Sequence, residues 1–163
     1  MPPQLAEGAA RVIDAVADGN LPLAGAAVTE LRELATSTFG PEHPNTLEAH
    51  ALDAYVAHLE GNQAHSTTIS LRVARLRFQQ GDPRALDEVQ RAAATWELLT
   101  APHTAVPLGG ELLALWRRIT GVTAEGGTAS IPEGIRAVES RLNAFTRVSA
   151  PLLATGLPRK GAA

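Results

Sequence analysis

The sequence contains no cysteine, so neither a disulfide framework nor a thiolate metal site is available to it. Aromatic residues make up only 4% of the chain, and β-branched residues are also too few to favour a sheet. Positive charge does not dominate either, because the net charge is −3, which argues against non-specific nucleic-acid binding as the main role. The abundant alanine and leucine favour closely packed helices instead.

Long apolar runs are absent, and none approaches the length of a membrane span. The first residues lack a basic region followed by an apolar run, so no signal peptide is expected and the location predicted is cytoplasmic. The five histidines never fall at the i, i+4 spacing of a helical zinc site, and no HExxH occurs. The sequence therefore predicts no metal site, no cofactor and no catalytic residues.

Apolar residues at helical spacing, together with cap and stop signals, predict seven helices. The first spans 4–18, and the second begins near Pro22 and ends at Gly40. The third has Asn45 or Thr46 as its N-cap, and the fifth spans Pro83 to about Thr100. In the sixth helix, Gly109 and Gly110 are expected to reduce the stability of the helix. We expect a flexible linker at 121–130, a capping helix at 131–150 that Pro151 kinks or ends, and a disordered tail at 151–163.

These segments repeat. The pair Gly19-Asn20 recurs 42 positions later as Gly61-Asn62, and Pro41 recurs at the same interval as Pro83. Apolar positions keep the period. Equivalent residues in the first helix of successive pairs are Leu5, Leu47, Val89 and Ile131, and Val12, Ala54, Trp96 and Val138. A fixed period of this length indicates stacked helical hairpins, each of which buries its apolar face only against its neighbours.

The junction Gly40–Leu47 reads GPEHPNTL and is followed by small residues at Ala54 and Gly61. It resembles the GPxHPxTL junction of the tetratricopeptide repeat (TPR) family, in the long, kinesin-light-chain-like form common in actinobacterial proteins. The second junction keeps only Gly81-Asp82-Pro83, and the third has lost the phrase. The resemblance implies an all-α solenoid of about seven antiparallel helices, with three TPR-like hairpins in 1–120 and a C-terminal capping helix.

The resemblance also implies protein or peptide binding in a concave groove formed by the first helix of each pair. The family's groove positions fall here on Ala9, Ile13 and Val16 in the first repeat, on Glu48, Ala51, Tyr55 and His58 in the second, and on Gln90, Ala93, Glu97 and Thr100 in the third. Tyr55 would serve as an amphipathic anchor or would simply pack between helices. His58 would tune binding by titration or would be an ordinary surface residue. Such a mixed apolar and acidic groove favours a partner with apolar and basic residues.

Two charged features have alternative interpretations. Arg72 and Arg75 share a helix face and would bind an acidic or phosphate-bearing partner on the convex side, or would be a solvated face that balances nearby carboxylates. Asp53 falls where the TPR family often has leucine, which either a pairing with a nearby arginine or a local rotation of the helix would explain.

The function predicted is a non-catalytic adaptor or regulatory subunit. The alternative is a regulator that senses a small ligand or signalling peptide, and an enzyme is the least favoured class because no set of titratable groups converges. The expected partner is a protein or peptide, not nucleic acid or membrane. Self-association through helix one or helix seven is open, because the stripe from Ile131 to Phe145 could cap its own chain or dock on a second.

Overall fold

The computed structural model describes residues 1–121 and 132–154, with side chains up to 148. Within these residues the secondary structure is entirely helical. The helices are α1 Pro3–Ala17, α2 Leu21–Phe39, α3 Pro44–Leu59, α4 Gln63–Gln79, α5 Ala85–Trp96, α6 Pro102–Thr120 and α7 Glu133–Ala154. Each helix packs against the next one along the chain, and α4 also contacts α6. The all-α, solenoid-like fold class is therefore confirmed.

The recurring Gly-Asn pair has a structural cause. Gly19 and Gly61 adopt left-handed φ angles of 70° and 80°, which end α1 and α3 where a side chain would be strained. The asparagines that follow are N-caps, since the side chain of Asn20 accepts a hydrogen bond from Leu23 N at 3.1 Å and that of Asn62 accepts one from His65 N at 3.3 Å. The same two residues thus close one helix and open the next at both sites.

The prediction that Asn45 or Thr46 is the N-cap of α3 is wrong. The cap is His43, whose Nδ1 accepts a hydrogen bond from Asn45 N at 3.2 Å, and Pro44 occupies the first turn. Thr46 is buried instead, and its hydroxyl donates to the carbonyl oxygens of Ala35 at 3.1 Å and Gly40 at 2.7 Å. It therefore fastens the end of α2 to the start of α3.

Two helix boundaries also differ from expectation. α5 spans Ala85–Trp96, because after Trp96 the amides of Leu98 and Leu99 turn to the carbonyls three residues back. α7 runs to Ala154 and does not end at 150. A proline removes only one backbone donor, so a helix can continue through Pro151 at the cost of that bond. Residues 151–154, predicted as the start of a disordered tail, therefore belong to α7. The rest of that tail, 155–163, and residues 122–130 of the predicted linker lie outside the described residues.

The buried side chains follow the 42-residue period. Leu5, Leu47 and Val89 are all buried. So are the residues of the second equivalent set, Val12, Ala54, Trp96 and Val138. The periodic positions are thus the core positions of successive helices, as stacking of hairpins requires.

α7 packs against its own chain. Ile135 and Val138 are buried in the cluster that also contains Trp96 and Trp116, with Leu142 and Phe145 packed beside them. Its stripe thus covers the face left by α5 and α6, while Ile131 lies outside the described residues. No helix in the described ranges combines the length and apolar character needed to cross a bilayer.

Candidate functional site

A groove of about 560 Å³ lies between α3 and α5, with α4 as its floor, and we call it the α3–α5 groove. Its apolar lining consists of three alanines and three larger residues, namely Ala51, Ala54, Ala94, Met1, Leu52 and Tyr55. Ser66 and Ser70 of α4 are buried beneath them. Ser66 is held there because its Oγ donates to the carbonyl of Ala54 at 2.7 Å. Small residues on facing helices leave the volume open.

Four of the predicted groove residues line this groove, namely Glu48, Ala51, Tyr55 and His58. Tyr55 is 50% exposed, so much of its ring is available for contact. His58 is oriented by its neighbour: its Nδ1 lies 2.8 Å from Oε1 of Gln63, whose Nε2 donates to the carbonyl of His58 at 3.3 Å. The wall formed by α3 therefore carries one exposed anchor and one fixed ring.

The other predicted positions lie outside the groove. Ile13 is 59% exposed on α1, Gln90 is exposed on α5 and Glu97 is exposed just after α5, and none of the three lines the groove. On α5 the groove-facing residues are instead Glu88, Arg91, Ala94 and Thr95.

The cause is that α3 and α5 face the groove with different sides. The two helices keep the same core register, since Leu47 and Val89 are buried at equivalent positions. A constant offset of 42 therefore carries the groove-facing side of α3 onto the side of α5 that points away from α3. Ala93, predicted to face the groove, is accordingly buried in the core beside Trp96.

A cluster of charges closes one end of the groove. Arg77, which is 3% exposed, donates from Nη2 to Oε1 of Glu48 at 3.1 Å and lies 3.7 Å from Oε1 of Glu88. Arg91 donates to Glu88 at 2.9 Å, and Arg84 also contacts Glu48. Both groove carboxylates therefore already have arginine partners.

Burial governs the chemistry of this cluster. It raises the pKa of Glu88, and the positive charges of Arg91 and Arg77 oppose the rise. Nε of Arg77 is buried and has no hydrogen-bond partner among the described residues. The cluster thus combines a buried carboxyl group with an unmatched donor, an arrangement that is costly unless it serves packing or binding.

The burial of Arg77 was not predicted from the sequence. The signal was its position four residues after Val73, which places both on the core-facing side of α4. Glu88 lies between the buried Ala85 and Ala92 at the same kind of spacing.

The two arginines of the predicted convex patch, Arg72 and Arg75, have different surroundings. Arg75 is ion-paired with Glu111 of α6 at 3.5 Å. Arg72 lines a different groove of about 400 Å³ together with Arg32 and His50; residues of α2 and α4 form its sides, and we call it the α2–α4 groove. Nη1 of Arg32 donates to Oδ2 of Asp53 at 2.7 Å, so pairing with an arginine explains why Asp53 stands in a core position.

No protein-family model matches the chain, and no curated protein matches it. Membership of the TPR family therefore stays a prediction from the GPEHPNTL junction and the 42-residue period. Within the described residues, no group of three His, Asp or Glu side chains is placed to hold a metal ion.

Proposed function

We propose that the protein is a non-catalytic, cytoplasmic adaptor or regulatory subunit that binds a short segment of a partner protein in the α3–α5 groove. The observation that supports this most is the groove itself, an open apolar channel with a half-exposed tyrosine on its wall and alanine and serine beneath it. Tyrosine gives a large contact area at small conformational cost, and grooves of this volume suit a few side chains of a bound segment.

The expected partner segment carries bulky apolar side chains, because the short residues of the groove leave space that only large groups would fill. The sequence also favoured basic residues in the partner. Glu48 and Glu88 are engaged by arginines, and Glu97 lies outside the groove, so apolar contact carries this proposal and charge attraction does not.

The second candidate is a regulator that senses a small ligand in the same groove. The observation that favours it is the polar end of the groove, where the lining residues Glu88 and Arg91 are joined by a hydrogen bond of 2.9 Å. A molecule with an apolar body and a hydrogen-bonding head would satisfy both parts of the groove. Its signature would be a thermal shift caused by the small molecule alone, without a protein partner.

A matched pair of variants tests the adaptor proposal. Tyr55→Ala and Ile13→Ala each truncate an exposed apolar side chain, but only Tyr55 lines the groove. We expect a protein that co-purifies stoichiometrically from cytosol to bind Ile13→Ala like the wild type. Its affinity for Tyr55→Ala should fall by about tenfold or more.

Equal binding to both variants would exclude the groove, and loss only with Ile13→Ala would move the interface to α1. If no protein co-purifies and a metabolite library stabilises the wild type but not Tyr55→Ala, the sensor replaces the adaptor.

Self-association through α1 also stays a proposal, supported by the exposed side chain of Ile13. The buried stripe of α7 is engaged within its own chain, so it does not support a second interface. A concentration series in size-exclusion chromatography, with Ile13→Ser as the variant, would show whether a dimer forms and whether α1 holds it.

A further inference from the structure

The α2–α4 groove is separate from the α3–α5 groove. His50 stands two residues from Glu48 on α3, which at 3.6 residues per turn directs it to a different side of the helix. The α2–α4 groove is also lined by Arg32, Thr36 and Ser37 of α2 and by Arg72 of α4. It brings two guanidinium groups and an imidazole together.

His50 is only 8% exposed and has no hydrogen-bond partner among the described residues. Neither ring nitrogen is completely buried, so the ring meets solvent through the groove that it lines. A buried imidazole is normally hydrogen-bonded, and one that faces an open groove without a partner is free to bind a ligand there.

The two arginines retain donor capacity. Nη1 of Arg32 is engaged by Asp53, which leaves the other guanidinium nitrogens of Arg32 uncommitted. Arg72 is exposed and has no carboxylate within ion-pair distance in the described part of the chain. The hydroxyls of Thr36 and Ser37 donate to the carbonyls of Arg32 and Leu34, at 2.7 and 3.1 Å.

We propose that the α2–α4 groove binds a phosphate group, held by Arg72, His50 and the free edge of Arg32. Arg72 supplies a positive charge that is unpaired among the described residues, and the free edge of Arg32 supplies further donors beside its ion pair with Asp53. The fixed fork of donors on each guanidinium group suits phosphate oxygens. One carboxylate faces the groove, that of the exposed Glu33, and it would lie beside the bound anion and limit the affinity. Both a free phosphate and a phosphorylated side chain present the same group.

Protonation of His50 should accompany binding. Burial, Arg72 and Arg32 lower the pKa of His50 in the free protein, and Asp53 raises it. The charged and titratable groups around it are Arg32 and Glu33 of α2, Asp53 of α3, and His65 and Arg72 of α4, with His65 3.7 Å from Asp53. A bound dianion favours imidazolium, so affinity should rise as the pH falls.

The first test titrates the full chain with inorganic phosphate at constant ionic strength and follows the His50 ring by NMR. We compare Arg72→Gln with Arg75→Gln, its matched control on the same helix, which lies outside the groove and pairs with Glu111. We expect the His50 NMR signals to shift and to saturate with phosphate in the wild type. Arg72→Gln should reduce the phosphate affinity about tenfold or more, and Arg75→Gln should change it less than about twofold. An equal loss in both variants, or no saturation in the wild type, would overturn the proposal.

The second test repeats the titration with sulfate from pH 8 to 5.5, because sulfate keeps both charges in this range whereas phosphate takes up a proton. Sulfate affinity should rise as the pH falls in the wild type and should lose this dependence in His50→Gln. A slope that persists in His50→Gln would exclude His50 from the site. O-phosphoserine then separates the two sources: tighter binding than inorganic phosphate indicates a phosphorylated protein, and equal binding indicates a free anion.

Discussion

Arg141 is a single residue that joins two helices far apart in sequence. From α7 its Nη1 donates to the carbonyl of Trp96 at 3.0 Å and its Nη2 to that of Leu99 at 2.6 Å. These carbonyls lie at the end of α5, where a helix leaves acceptors unsatisfied and where positive charge is favourable. The guanidinium also lies 5.1 Å from the ring centres of Trp96 and Phe145.

Replacing Arg141 should therefore loosen the contact between α7 and α5. We expect Arg141→Ala to reduce the free energy of unfolding by about 2 kcal/mol or more, because two charge-assisted hydrogen bonds are lost. The carbonyl of Leu99 loses its partner, whereas that of Trp96 keeps the amide of Leu99. Arg136→Ala, at an exposed position of the same helix, should change it by less than about 0.5 kcal/mol. Urea denaturation measures both, and similar effects would show that the hydrogen bonds contribute little.

The burial of Glu88 predicts that the free energy of unfolding depends on pH. Burial raises its pKa in the folded protein above the ordinary glutamate value of 4.5, so the folded state keeps a proton that the unfolded state releases. Stability that is present below pH 4.5 is then lost as the pH rises through the folded pKa. We expect Glu88→Gln, which mimics the protonated form, to gain stability relative to the wild type as the pH rises across this window.

The measurement is urea denaturation of both proteins at each pH, since their difference cancels titrations that they share. Asp87→Asn removes an exposed carboxylate from the same helical turn and should leave the profile parallel to that of the wild type. A flat difference for Glu88→Gln would mean that Arg77 and Arg91 compensate fully for burial.

At the scale of elements, glycine sets how closely three helices approach. A Cβ on Gly109 of α6 would lie 2.7 Å from Cζ2 of Trp96 and 3.0 Å from Cδ1 of Leu142. A Cβ on Gly134 of α7 would lie 2.4 Å from Cη2 of Trp116. Both glycines thus provide the space into which a tryptophan packs, which reverses the expectation that Gly109 merely weakens α6.

The adjacent glycines of α6 give an internally controlled prediction. Gly109→Ala should destabilise the protein by about 1–3 kcal/mol, because the methyl group would displace the indole of Trp96. Gly110→Ala meets no atom within 4 Å and should stabilise by about 0.5–1 kcal/mol through helix propensity. Thermal unfolding should therefore shift in opposite directions, and destabilisation by both would show that α6 is constrained at Gly110 by something other than packing.

At the scale of the molecule, the core is divided along the stack. One cluster belongs to α1, α2 and the near face of α3, and another to α4 through α7. Between them lies a small cluster of four residues from α3 and α4: Leu47, Ala54, Ile69 and Val73. A stack joined by such nearest-neighbour contacts should transmit a local loss of stability only partly along its length.

Native-state hydrogen exchange tests this division. Leu31→Ala removes buried volume from the first cluster and should lower the opening free energy of amides in α1–α3 by about 2 kcal/mol or more, with a smaller loss in α6. Leu112→Ala, in the cluster of α4 to α7, should give the reverse distribution. Equal losses throughout the chain in both variants would show one cooperative unit.

The helices and the periodic core could be predicted from the sequence. Helix starts and stops depend on neighbouring residues, as at Gly61-Asn62, and core positions follow from spacing within one helix, so both can be predicted from local patterns. One wall of the α3–α5 groove, with Glu48, Tyr55 and His58, was predicted for the same reason, since α3 keeps the register of the repeat.

The opposite wall, the buried charges and the α2–α4 groove depend on contacts between distant segments. Which side of α5 faces α3 depends on how the hairpins stack, and the burial of Arg77 depends on Glu48, 29 positions away in the chain. Likewise, Arg72 and Arg75 share a helix face, but α2 surrounds one and α6 pairs with the other. Such contacts join segments whose relative placement is set by packing, which no local pattern contains.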